Sequence, residues 1–203
     1  HKNVLELAQF SDKPVINGLS DFSHPCQGLA DVYTVREKLK NLKGKTLAYV
    51  GDGNNVCNSL LLACASAGLN MNVAAPAGYE PDKSVLREAG ELAKKTHVSI
   101  NLFSTPVEAV KGADIVYTDV WASMGQEQEA KERKEIFRGF QLNSALMEHA
   151  KKNCLIMHCL PAHRGDEITD EVIDSPNSIV FDQAENRMHV QKAILIKLLK
   201  GKP

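Results

Sequence analysis

The chain has 203 residues, with 24 Lys and Arg against 25 Asp and Glu and a formal net charge of -1. Hydrophobic residues at 43% and charged residues at 24% suit a soluble domain with one sizeable core. The near-neutral charge leaves no electrostatic case for a nucleic-acid partner, and no apolar run reaches the length of a membrane span. The five cysteines, at positions 26, 57, 64, 154 and 159, are odd in number and lie mostly in apolar stretches. They read as reduced thiols of a cytoplasmic protein, not as a disulfide framework.

The opening His1-Lys2-Asn3-Val4-Leu5-Glu6-Leu7-Ala8 has no methionine and reads as the middle of a helix. The chain is therefore expected to be a piece of a longer protein, and the absence of a visible targeting segment carries no weight. Pro14–Asn17 reads as a short strand and Gly18–Ser23 as a loop. An amphipathic helix follows over Pro25–Leu39, with Gly44 as its stop signal. Thr46–Val50 is the first strong strand, leading through Gly51-Asp52-Gly53-Asn54-Asn55 into a helix that ends at Gly68. Met71–Ala75 is the next strand. Asp82 caps a helix with apolar residues at Val85, Leu86, Ala89, Leu92 and Ala93.

Val98–Leu102 reads as a strand. Thr105-Pro106-Val107-Glu108 combines a capping box with proline in the first turn. Asp114–Thr118 is a strand, Ala130–Phe137 a charged exposed helix, and Asn143–Ala150 another helix. Cys154–Met157 is a buried strand, Ser178–Phe181 an edge strand, and Glu185–Leu199 the closing helix. Strands alternating with helices predict an α/β fold, a doubly wound parallel sheet with helices on both faces. Ligands of such sheets bind at the carboxyl ends of the strands. Three polar clusters follow strands here: Gly51–Asn55, Asp119–Gly125, and His158-Cys159-Leu160-Pro161.

Gly51-Asp52-Gly53-Asn54-Asn55 departs from the dinucleotide fingerprint, because Val56 stands where a third glycine belongs and the next strand ends without a carboxylate. It reads either as a tight turn with an Asn cap or, preferably, as Asn55 presenting an amide at a helix N-terminus to a ligand carboxylate. Asp119 with Ser123-Met124-Gly125 offers an anion, a hydroxyl and accessible backbone, a set suited to an ammonium group. Capping of the next turn by Asp119 is the bland alternative. His158 and His163 have one metal-like spacing but no second pair, so no metal is expected. Cys159 reads as a substrate-contacting thiol in preference to a structural one. In His24-Pro25-Cys26-Gln27, an imidazole and an amide share one face of a helix start and suit a carbonyl oxygen and an amide. Arg187 either pairs with Glu185 on the surface or turns its planar fork toward a phosphate.

These five elements, in this order, closely resemble those of the ornithine carbamoyltransferases. The resemblance covers essentially the whole chain. His-Pro-x-Gln is shared across transcarbamylases, whereas Ser-Met-Gly and His-Cys-Leu-Pro are more specific to the ornithine enzymes. The resemblance implies transfer of a carbamoyl group from carbamoyl phosphate to the side-chain amine of L-ornithine, giving L-citrulline and phosphate in arginine biosynthesis, with no cofactor.

It implies that His24, Gln27, Arg187 and the backbone at Cys159 and Leu160 hold carbamoyl phosphate. Asn55 and the backbone at Met124 would hold the ornithine α-carboxylate, and Asp119 and Ser123 its α-ammonium. Cys159, oriented by Asp119, would stand beside the reacting amine. Catalytic roles fall to Cys159, Asp119, His24 and Arg187. Residues 1–23 would then be a remnant of a preceding domain, 24–40 a linking helix, 41–184 the ornithine-binding domain, and 185–203 a bridging helix.

The family's Ser-x-Arg-Thr-Arg phosphate segment is absent from this chain. That segment's domain also builds the family's homotrimer, so the chain alone is expected to be inactive. Val190, Ala193, Ile194, Leu198 and Leu199 would then form an exposed apolar patch. A transcarbamylase for another amine and a non-catalytic amino-acid-binding module are the alternatives.

Overall fold

A computed structural model describes residues 1–122 and 130–200, Ala130 by its backbone only. Its centre is a five-stranded, all-parallel sheet of β1 (Thr46–Val50), β2 (Asn70–Ala74), β3 (Ile100–Phe103), β4 (Ile115–Thr118) and β5 (Leu155–His158). The spatial order is β3-β2-β1-β4-β5, so the chain reverses its direction of winding at β1, and the β1/β4 boundary is a topological switch point.

Alternation along the strands explains why both sheet faces are covered. Leu47 and Tyr49 of β1 join Met71, Val73, Ile115, Tyr117 and Met157 in one core. Ala48 and Val50 join Ala74, Val116 and Ile156 in the other. The first core is closed by α2 (Pro25–Leu39), α3 (Asn55–Ala67) and α4 (Lys83–Thr96). The second is closed by α5 (Pro106–Val110), α6 (Ala130–Phe137), α7 (Ser144–Met147) and α8 (Asp170–Ile173). Each fully buried large apolar side chain stabilises the fold by about 1.5–3 kcal/mol relative to exposure. The remaining helices, α1 (Lys2–Phe10) and α9 (Val180–Lys200), carry exposed apolar side chains, among them Phe10 at 78% and Leu199 at 83%. No helix among the described residues is long and apolar enough to cross a membrane.

Several local expectations are corrected. Pro14–Asn17 forms no strand. Ser178 makes only an isolated bridge to Ile156, and Phe181 already lies in α9, which starts at Val180 instead of Glu185. Apolar Ile179-Val180-Phe181 suits a strand and a buried helix start equally, and packing selects the helix. Helix α2 stops at Leu39 because Lys40 takes a positive φ of 62° and its backbone N–H returns to Arg36, so Gly44 serves a later turn. The helix expected over Asn143–Ala150 is the short α7, with Asn143 capping it at the Leu146 N–H. Thr105 spends its hydroxyl on Glu108 and leaves the backbone uncapped. Helix α6 is present but anchored, with Phe137 and Arg133 buried.

One close approach ties the loop after β1 to the rest of the molecule. The Gly53 N–H donates to the Tyr79 carbonyl at 2.8 Å. A Cβ on Gly53 would lie 2.2 Å from Pro81 N and 2.4 Å from Glu80 C, both backbone atoms. Gly53→Ala is therefore expected to destabilise the fold by about 1–3 kcal/mol, the usual cost of overpacking. Urea unfolding checks this, and an unchanged midpoint would contradict the packing described.

Candidate active site

The register of the sheet builds the site. Val50 is paired with Thr118, and Thr118 with His158. Gly51, Asp119 and Cys159 therefore leave three adjacent strands at the same level, on the carboxyl edge and beside the switch point. The Thr118 hydroxyl donates to the Val50 carbonyl at 2.7 Å and locks two of these ends together.

Asp119, 5% exposed, stands at the middle of the cluster. Its Oδ1 accepts the Cys159 thiol at 2.8 Å and the Val120 N–H at 2.8 Å. Its Oδ2 accepts the Asn54 amide at 2.7 Å. A carboxylate has about four lone-pair sites, so Oδ2 can still accept from a cation. Burial and the neighbouring Asp119 push the Cys159 thiol well above the usual thiol range. It is therefore a protonated donor at neutral pH. Burial followed by the Arg187 charge lowers His24 to about 4, so its imidazole is neutral and can offer an N–H to an oxygen. The His24 Nδ1 has no protein partner.

Helix α2 brings the second set of groups. The His24 backbone N–H donates to Ser59 Oγ at 2.7 Å, which fixes the start of α2 on α3. Gly28 sits so close to the Ser59 carbonyl that a Cβ there would be 3.0 Å away. Gln27 is 1% exposed; its Oε1 accepts from the Arg187 guanidinium of α9, and its Nε2 donates to Asp31 at 2.7 Å. Arg187 thus turns toward α2 and does not pair with Glu185, whose carboxylate instead meets His189 at 3.4 Å.

Asn55 opens α3, but its Nδ2 donates to the Ser20 carbonyl at 2.7 Å, leaving one amide hydrogen for a ligand. The capping role belongs to Asn54, whose Oδ1 accepts from the Val56 and Cys57 N–H groups. Asn54 is thus the residue that links the helix start to Asp119. The Asn-capped turn, the less favoured of the two sequence readings, is thus the one the structure shows at Asn54, and its position directly before Asn55-Val56, at the cap of an apolar helix, is the signal for it.

The loop after β5 is held from beneath. Leu160 N–H donates to His158 Nδ1 at 2.9 Å, so Nε2 carries the proton and faces Glu167 Oε1 at 3.1 Å. The fully buried Glu167 also accepts the His163 N–H at 2.5 Å. Leu160 itself has a positive φ of 57°, unusual for a residue with a branched side chain. Ligand atoms of Asp119, His158 and Cys159 lie within 4.8 Å of one another. Both His158 nitrogens are engaged, so metal binding would require breaking the bond to Leu160 or to Glu167.

A second carboxylate near Asp119 is answered separately. Asp52 is raised to about 6 by burial, with Asp119 raising it further and Arg133 opposing both. Arg133 Nη2 sits 2.8 Å from Asp52 Oδ2, and its guanidinium lies over the Tyr79 ring at 4.9 Å. The expected Ser123 and Met124 lie outside the described residues.

Comparison with known proteins matches residues 43–198 to the Asp/Orn binding domain of aspartate/ornithine carbamoyltransferase and residues 1–37 to its carbamoyl-P binding domain. The chain is 59% identical over 201 residues to the ornithine carbamoyltransferase of Pyrococcus horikoshii, covering 99% of this chain and 63% of that protein. It is 54% identical to the Bacillus cereus enzyme, with the same coverage of 99% and 63%. The solved ornithine carbamoyltransferase of Pyrococcus furiosus superposes with a TM-score of 0.96 at 57% identity, covering 100% of this chain and 65% of that one. The Giardia lamblia ornithine transcarbamoylase gives 0.87 at 37% identity, covering 94% and 64%. The chain thus spans about 63% of the length of the relatives it matches.

The Asp119–Cys159 contact makes a direct prediction. Asp119→Asn removes the charge and weakens the acceptor that together hold the thiol proton, so the Cys159 pKa should fall. Its alkylation by iodoacetamide in mildly alkaline buffer, followed by peptide mass mapping, should then accelerate. An unchanged or slower rate would contradict the electrostatic coupling.

Proposed function

The chain belongs to the aspartate/ornithine carbamoyltransferase family, and we propose that the complete protein transfers the carbamoyl group of carbamoyl phosphate to the side-chain amine of L-ornithine. The observation that carries this reading is the Asp119–Cys159 pair at the carboxyl edge of the sheet, 2.8 Å apart. It sets one carboxylate acceptor and one sulfur beside each other, with the neutral His24 near enough to feel the Asp119 charge.

In this reading the ornithine zwitterion binds with its α-ammonium on the open side of Asp119 and Ser123. Its α-carboxylate meets the amide of Asn55 at the positive end of α3, with the Met124 backbone as the further ligand that the family resemblance implies. The free side-chain amine has a pKa of about 10.4 in water. Removal from solvent lowers it, which favours the neutral nucleophile. Cys159 and Asp119 orient that amine. Carbamoyl phosphate places its carbonyl oxygen against His24 and Arg187, its amide against Gln27, and its body against the backbone at Cys159 and Leu160.

The amine nitrogen then bonds to the carbamoyl carbon. His24, neutral because its pKa lies near 4, donates an N–H to the developing oxyanion, and Arg187 adds positive charge. The bond from that carbon to the phosphate oxygen breaks, and phosphate leaves with the electron pair. The amine proton passes to solvent or to a local base, leaving L-citrulline. In the complete protein a Ser-x-Arg-Thr-Arg segment would add a further phosphate grip to that of Arg187. We assign the complete protein to a cytoplasmic homotrimer in arginine biosynthesis, a role that matches the name "anabolic" carried by the Pyrococcus furiosus relative.

The reading separates from its neighbours by experiment. The complete protein should form citrulline, and this chain alone should form none above blank at ordinary substrate levels; steady citrulline from the chain alone contradicts the assignment of roles. Ornithine should also displace aspartate and putrescine from the complete protein, since putrescine brings no α-carboxylate for Asn55 and the side-chain carboxylate of aspartate is repelled by Asp119. Preference for aspartate would contradict it.

A further inference from the structure

The least explained charged group in the molecule is Asp31. It is fully buried on α2, four residues beyond Gln27, and among the described residues no cation contacts it directly. Its Oδ1 accepts the Gln27 amide at 2.7 Å and the Gln183 amide at 2.7 Å. Its Oδ2 accepts the Tyr117 hydroxyl at 3.0 Å. A buried carboxyl paired only with neutral donors is expensive compared with an apolar side chain of similar size. Helix packing alone does not account for it.

Each of the three donors leads to the candidate site. Gln27 carries its Oε1 to the Arg187 guanidinium, so the bond to Asp31 decides which end of that amide faces the arginine. Gln183 donates to both Asp31 and the Tyr117 hydroxyl, and its Oε1 accepts the His158 backbone N–H at 3.0 Å. That bond fixes the end of β5 one residue before Cys159. The Tyr117 hydroxyl, whose one proton goes to Asp31, also lies close enough to Cys159 to oppose the rise in the thiol's pKa. One carboxyl therefore sets an amide on α2, a guanidinium on α9, the last strand end and the thiol.

We propose that Asp31 is a positioning residue, orienting Gln27 and Arg187 on one side and the Cys159 strand end on the other, so that the two halves of the site are held in register. The proposal rests on the carbamoyl-transfer reading above and names a residue that this reading does not use. Asp31 touches no reacting atom; it acts through its three donors. When it is ionised, both oxygens accept. When it is protonated, one oxygen must donate, so at least one of the three arms is lost or reversed.

That loss should be visible as a pH dependence. Burial raises Asp31 to about 7, against the lowering effect of Gln27, Gln183, Tyr117 and the Arg187 charge. The other ionisable groups facing it are Cys64 of α3, Tyr117 of β4, Cys159 beyond β5 and Arg187 of α9. Burial pushes Cys64, Tyr117 and Cys159 upward, out of the neutral range, and a guanidinium stays charged. His24 titrates near 4. Asp52, beside Asp119, titrates near 6, so a limb near 7 is assigned to Asp31 by its absence from an Asp31→Asn variant.

The test uses the complete protein and its Asp31→Asn variant, with kcat and KM for each substrate measured against pH beside thermal melts. A folded D31N should lose about tenfold or more in kcat/KM for carbamoyl phosphate. The wild-type decline as pH falls through about 7 should be missing from it. D31N with wild-type constants and pH profile overturns the proposal. If D31N does not fold, Tyr117→Phe decides: loss of kcat with a further rise of the Cys159 pKa supports the hub, and wild-type values for both overturn it. A wild-type protein that makes no citrulline sinks the carbamoyl-transfer reading and this proposal with it. An active wild type with an unaffected variant sinks this proposal alone.

Discussion

The hydrogen bond from the Cys159 thiol to Asp119, with Asn54 donating to the opposite oxygen, is the contact on which the rest of the site depends. It joins residues that are far apart in sequence and meets only because β1, β4 and β5 are parallel, adjacent and in matched register. Antiparallel pairing of any one strand would carry its loop to the opposite edge. The two apolar cores, one on each face, keep that register. A slip of one residue would turn Tyr49 and Tyr117 away from the core they share.

Electrostatics gives the cluster a consistent character. Asp52 has its own guanidinium partner in Arg133. Cys159 remains a thiol and His24 a neutral imidazole. Asp119 thus accepts from neutral donors, and in this buried setting an added cation gains more than it would in water. Across the opening, Arg187 is held by Gln27. The opposite charges of Asp119 and Arg187 suit a substrate pair with a cationic amino acid on one side and an anionic leaving group on the other.

Much of this was legible beforehand, for identifiable reasons. Buried parallel strands read as continuous apolar runs, so Thr46–Val50 and the strand before His158 stand out, and the loops after them leave the sheet at one edge. The cap at Asp82 and the glycine at Gly68 behaved as their residue types require. Ser178–Phe181 misled because an apolar triplet has no periodicity of its own. Asn54 was overshadowed by Asn55, and Asp31, Tyr117 and Gln183 were invisible for a deeper reason. Their partners come from three different elements, and no local pattern records a contact between residues 31, 117 and 183. Only the spacing of Gln27 and Asp31 on one helical face hinted at it.

The most direct test is an NMR titration of the isotopically labelled complete protein with L-ornithine in the presence of carbamoyl phosphate. The account predicts that the largest shift changes fall together on Asn54, Asn55, Asp119 and Cys159, with one common binding constant. Saturable changes centred elsewhere, with these four unmoved, would contradict the claim that the three strand ends form one binding site.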